Sequence, residues 1–340
     1  MKIKHLYWVA AAILVVCALA SSSRAQTTNL IVDDTFNSGV DYYPGTSTSS
    51  VSPYSDDGVV NSYGDIESAF IRAGSGTITV TAPGGGAANV GSANVLFGNG
   101  EGANSATWYT YFTSSTSSAV KLVNPGDEMI LTWQFTPTGV AAINNNQGFT
   151  ITVAQTPSGQ RSTGWASQNQ AAFTGFTTYM NMGTTLSNTA PFQLKRWALG
   201  STPSALVGTS GNWTNLTGAT TGTKGATGYA SGTQYTYTMA LELDPSGDGD
   251  LDVTSTMIGG SLNNVGSMSI SYVDTAPTTD GAGLSFDTFD IRPSNTNITA
   301  VSFTTSLFEV QQIIPEPSTL LLVGAGLGML VGLVRRQRRH

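Results

Sequence analysis

Side chains suited to chemistry are few in this 340-residue chain, and their placement narrows what they can do. The single cysteine, Cys17, lies in an N-terminal apolar run, and the two histidines, His5 and His340, stand at the extreme ends. A domain between those ends has neither residue type. That excludes Cys–His and Ser-His-Asp nucleophile systems and any zinc site built on His or Cys. A hydrolase would have to use two carboxylates roughly 5–10 Å apart. The acids available for such a pair are Glu67, Glu101, Glu128, Glu242, Asp287 and Asp290.

Oxygen donors recur at alternate positions in Asp244-Pro245-Ser246-Gly247-Asp248-Gly249-Asp250-Leu251-Asp252. Calcium loops use that spacing with a glycine at the sixth position, and Gly249 fits; Asp244, Asp248, Asp250 and Asp252 would be the ligands. The twelfth position, where a bidentate acid belongs, is Ser255, and the competing reading is a hairpin turn with its acids in water. Flat rings suited to stacking on a sugar occur at Trp108, Tyr109 and Tyr111, with Trp165, Tyr179, Trp197 and Trp213 near Gly/Asn/Ser loops. The competing reading places these rings in the core. Three sequons, at Asn212, Asn215 and Asn297, are read as chance in a threonine-rich chain.

The elements that must position these groups are strands. Tyr235, Tyr237, Met239, Leu241 and Leu243 alternate with Thr236, Thr238, Ala240 and Glu242. Met129–Thr136, Phe149–Val153, Leu251–Val253, Met268–Tyr272 and Phe303–Leu307 repeat that period of two, which marks half-buried strands. Roughly a dozen such runs, separated by Gly/Asn/Ser/Pro loops, predict an all-β fold with little helix. That number suits a two-sheet jelly roll better than a small sandwich, with a parallel β-helix as the alternative. Only 10 % of residues are charged and 39 are glycine, which disfavours a helical bundle. Half of the 14 basic residues lie in the termini, so residues 26–314 keep 7 basic against 20 acidic side chains, a net charge of −13. Such a surface repels nucleic acid.

The two ends read as addresses. A basic start (Lys2, Lys4), the apolar run Leu6–Ala20 and a small-x-small site at Ser23-Arg24-Ala25 predict a signal peptide over residues 1–25. Signal peptidase would cut between Ala25 and Gln26. At the other end, Ser318–Val334 is an uncharged stretch of 17 residues, enough to cross a bilayer as a helix. Arg335, Arg336, Arg338 and Arg339 follow it as a stop signal that keeps the C-terminus cytoplasmic. The large domain would then lie on the far side of the inner membrane. Gly324, Gly328 and Gly332 give that helix a smooth face for packing on another helix. A permanent anchor is the rival reading.

Pro315-Glu316-Pro317, the glycine-rich apolar helix and the arginine cluster, in that order, resemble the PEP-CTERM sorting signal of Gram-negative bacteria. The resemblance spans residues 315–340. It implies that an exosortase recognises the tail and removes the anchor, and that the protein passes to the cell surface or the exopolysaccharide matrix. Residues 26–314 would form the exported domain. Its second half resembles concanavalin A-like lectin/glucanase sandwiches through Gln147–Ile151, Tyr235–Leu243 with its Asp-Gly turn, and Phe286-Asp287-Thr288-Phe289-Asp290-Ile291. Glucanases of that kind carry a Glu-x-Asp-x-x-Glu strand motif, which this chain lacks: Asp65-Ile66-Glu67 reverses the pair, and Glu242 stands alone. The expectation is a non-catalytic, carbohydrate-binding or structural protein with calcium as its only conceivable cofactor; a secreted carbohydrate-active enzyme is the alternative.

Overall fold

The computed structural model describes residues 26–35, 66, 70–73, 78–81, 93–97, 107–142, 149–159, 161, 173–200, 210–293 and 302–316. Among them the chain is all-β, with short 3-10 turns at Thr116–Ser118, Ser210–Asn212 and Leu262–Asn264 as its helical segments. No described helix is long and apolar enough to cross a membrane. The signal peptide, Pro317, the apolar stretch Ser318–Val334 and the arginine cluster lie outside the described residues.

Among the described residues, seventeen strands form two large sheets and a small one: β1 Gln26–Asp34, β2 Phe70–Ala73, β3 Ile78–Thr81, β4 Ala93–Phe97, β5 Thr107–Tyr111, β6 Val120–Lys121, β7 Glu128–Thr138, β8 Phe149–Gln155, β9 Thr174–Met180, β10 Phe192–Trp197, β11 Trp213–Thr221, β12 Tyr235–Leu243, β13 Leu251–Ile258, β14 Ser267–Asp274, β15 Ser285–Phe286, β16 Thr288–Pro293 and β17 Ser302–Pro315. The first sheet runs β14-β13-β12-β7-β17-β4-β3, with β1 also pairing with β17. The second runs β11-β10-β9-β8-β16-β5-β2, and β15 pairs with β6.

The period-two sequences fold as read. In β12 and β7 every second side chain is buried, because successive residues of a strand point to opposite faces. The inner faces of the two sheets meet around Trp133. Its ring stacks on Phe135 at 4.0 Å and lies 6.1 Å from Phe289 of the other sheet, while Phe149 and Phe303 stack at 5.2 Å. Trp133 Nε1 donates to Thr305 Oγ1 at 3.1 Å, so the indole N–H is satisfied inside the core. A polar tie also crosses the sandwich. The Thr178 hydroxyl of β9 lies 2.8 Å from both the Tyr237 hydroxyl and the Ser255 hydroxyl of the facing sheet.

Candidate functional site

A sandwich of two sheets has two outer faces, and the water-facing residues on them are ordinarily polar and exposed. The outer face of the second sheet departs from this. Its strands bury both faces: all but the last residue of β8 and all but the first of β9 are buried. Register places the outward residues in rows across the strands. One row runs Tyr109, Asp290, Thr152, Thr177, Lys195, Asn215. A second runs Arg292, Thr150, Tyr179, Gln193. A third begins at Tyr111, Thr288, Ala154 and Gly175. Trp197 and Trp213, paired in register, join a separate aromatic cluster with Tyr109, Tyr111, Phe173 and Tyr179.

Gly175 has no alternative here. It takes φ +144°, and an added Cβ would sit 2.3 Å from the Val153 carbonyl oxygen. The strands β8 and β9 can approach this closely only with glycine at that position.

The charged members of this face are the unusual ones. Asp290 is 1 % exposed, and among the described residues neither of its carboxylate oxygens has a hydrogen-bond partner. Burial pushes its pKa well up, and the Arg292 guanidinium only partly opposes that. Lys195 is buried, its ammonium 3.9 Å from the centre of the Tyr179 ring, and burial lowers its pKa. Burial raises the Tyr179 phenol. Thr152 donates to Thr177, which donates to the Ile151 carbonyl, so the threonines between Asp290 and Lys195 are satisfied. Just before β16, an interior strand of this sheet, Asp287 is fully buried but well held. Arg161 reaches it at 2.8 Å, the Thr156 N–H donates to it at 2.7 Å, and the guanidinium lies 4.7 Å over the Tyr111 ring.

These positions correct the reading of the aromatic residues. Tyr109 and Tyr111 are 0 % exposed and pack edge-to-face at 5.4 Å, so neither ring is open to stack on a sugar from solvent. Tyr179, Trp197 and Trp213 are buried as well. Trp108 lies in β5 opposite Ile291, and Trp165 lies outside the described residues. Tyr109 and Tyr111 are two residues apart in β5 and share its outward face, which is buried instead of open to solvent.

The acidic loop, Asp244–Asp252, folds as a hairpin turn between β12 and β13, closed by the Asp250 carbonyl accepting from the Asp244 N–H at 2.9 Å. Asp244 Oδ1 accepts from Ser246 N–H and Asp248 Oδ1 from Asp250 N–H, so these carboxylates cap their own turn. Among the described residues no three acids converge to hold a metal ion. The acids of this region instead form a line along the outer face of the first sheet. Glu128 lies opposite Glu242, and Glu242 opposite Asp252. Burial first, then mutual repulsion, raises the pKa of each. Of the six acids considered for a catalytic pair, only Glu128 and Glu242 are cross-strand partners. Asp287 and Asp290 lie on the second sheet, and Glu67 and Glu101 fall outside the described residues.

The last strand leads straight into the C-terminal signal. Pro315 is the final residue of β17, half-buried, and Glu316 follows it, exposed. Proline lacks the N–H that the ladder needs, which ends the strand at this residue.

The described residues form an all-β sandwich whose final strand ends at Pro315, the first residue of Pro-Glu-Pro, and this defines the class: a β domain joined to a sorting tail. Residues 314–339 match the PEP-CTERM protein-sorting motif, so the chain carries this domain at its C-terminus. The motif marks an exported protein, anchored in the membrane before exosortase processing. No curated protein sequence matches the chain. Similar solved structures include peanut lectin with a nine-residue peptide (11 % identity over 86 % of this chain and 99 % of that one, TM-score 0.40). Lectin I from Ulex europaeus, in complex with a methyl glycoside of α-L-fucose, is 10 % identical over 71 % and 92 %, TM-score 0.39. The metal-free lectin I-B4 from Griffonia simplicifolia is 11 % identical over 74 % and 96 %, TM-score 0.38.

Proposed function

We propose that signal peptidase removes residues 1–25, that an exosortase removes the anchor after Pro315-Glu316-Pro317, and that the domain then resides at the cell surface or in the exopolysaccharide matrix. There it acts without catalysis, as a carbohydrate-binding or structural component. The observation that carries this reading is the continuity of domain and signal: β17 ends at Pro315, the first residue of Pro-Glu-Pro, within the stretch that matches the sorting motif. The test is a pull-down of the mature protein with the exopolysaccharide of the producing cell, in which retention above that of a control protein of equal net charge supports binding.

Two other readings each have an observation in their favour. The complete burial of Tyr109, Tyr111 and Trp197 favours a second core and a purely structural matrix protein. Absence of retention on the exopolysaccharide would establish that reading. Glu128 opposite Glu242 favours a carbohydrate-active enzyme. Release of reducing ends from the matrix polysaccharide, abolished by Glu242→Gln, would establish that one.

A further inference from the structure

The end of the last strand and the start of the mature chain share one structural unit. Gln26–Asn29, the first residues after the expected signal-peptide cut, belong to the same unit as Ile313–Glu316. Within this unit, the Thr27 hydroxyl donates to Glu316 Oε1 at 3.2 Å, and Glu316 is the central residue of Pro-Glu-Pro. β1 pairs with β17, and β17 is unbroken from Ser302 to Pro315. No linker separates strand from motif.

The place of β17 in the first sheet sharpens the point. It is the last strand of the domain in sequence, yet it lies between β7 and β4 in the sheet. Phe303, Thr305, Phe308 and Val310 are 0 % exposed. The sheet is therefore completed by the segment that leaves the export channel last, immediately ahead of the membrane stretch. β1, exported first, has to wait for it.

We propose that the exosortase substrate is a composite of the Pro-Glu-Pro strip and the N-terminal strand, with Thr27 as a positioning residue that holds Glu316. Pro315 and Pro317 cannot donate backbone hydrogen bonds, so the strip has little of its own to fix its conformation. Closure of β1 on β17, with the Thr27 bond to Glu316, supplies that fixation. Exosortase processing thus follows closure of β1 on β17. This inference rests on the export reading above.

The test is a pulse–chase of the full chain in an exosortase-bearing host, with intact mass reporting the two ends separately. Thr27→Val removes the hydroxyl at nearly constant shape, and Asn29→Pro removes a strand N–H. Both should slow loss of the C-terminal tail by about three- to tenfold, the scale of one hydrogen bond. Loss of the N-terminal 25 residues, and protease resistance of the domain, should stay as in the wild type. Unchanged or faster tail removal in Thr27→Val would overturn the proposal, even if Asn29→Pro failed to fold. A wild-type chain whose tail is never removed would instead overturn the export reading itself.

Discussion

Replacing Asp290 by asparagine should flatten the dependence of stability on pH. The folded-state pKa of Asp290 is raised by full burial, while in the unfolded chain the group titrates near an ordinary carboxylate value of about 3.9. Below that value both states bind the proton, and the contribution to stability is fully present. As pH rises above it, the unfolded state releases its proton and the folded state does not. Stability should then fall by up to about 1.4 kcal/mol per pH unit until the folded pKa is reached. Asparagine cannot titrate and lacks this slope. The mature protein and Asp290→Asn should therefore have similar urea midpoints near pH 4, after allowance for a constant offset, and diverge in favour of the variant at pH 5 and 6. Curves that stay parallel from pH 4 to 6 would refute the reasoning, because they would mean Asp290 is ionised at no cost. Divergence in the opposite sense would mean that Arg292 stabilises the carboxylate more than burial opposes it.

Three further substitutions follow. Thr305→Val removes the Thr305 hydroxyl that accepts from the Trp133 indole N–H in the core and should destabilise by about 1–3 kcal/mol in chemical denaturation, whereas the same change paired with Trp133→Phe should cost less than the sum. Glu242→Gln relieves the line Glu128, Glu242, Asp252 and should raise stability at pH 7 by about 0.2–1 kcal/mol, with the gain shrinking at high salt and vanishing below pH 4, where the acids are protonated. Arg196 bridges buried Asp274 and Asp280, whose pKa is pushed up to about 6, chiefly by burial and by its hydrogen-bonded neighbour Asp274. Arg196→Ala should cost about 3 kcal/mol at pH 8, and the loss should be smaller at pH 4, where Asp280 is neutral; equal losses at both pH values would contradict it.

Much of the sandwich was legible because burial on one face leaves a period of two. Tyr235–Leu243 was read to the residue, and Met129–Thr136 and Phe303–Leu307 were read as strands that prove to be parts of longer ones. The second sheet was harder for a physical reason. When both faces are covered, polar residues such as Thr150, Thr152 and Thr177 are buried without any local sign, and Tyr109 and Tyr111 look like exposed rings. Asp290 between Phe289 and Ile291 was the available signal: a charge inside an apolar, aromatic strand. The pairing of Glu128 with Glu242, and the insertion of β17 between β7 and β4, depend on register and strand order across more than a hundred residues. No local pattern carries that information. The aspartate loop had calcium-like spacing, but a tight hairpin turns its carboxylates onto its own N–H groups.

The account stands on export followed by removal of the tail, and the intact mass of the protein recovered from its own cell envelope and matrix tests this most directly. The predicted mass lacks residues 1–25 and everything beyond the Pro315-Glu316-Pro317 strip. A mass that includes Arg335–His340 would contradict it.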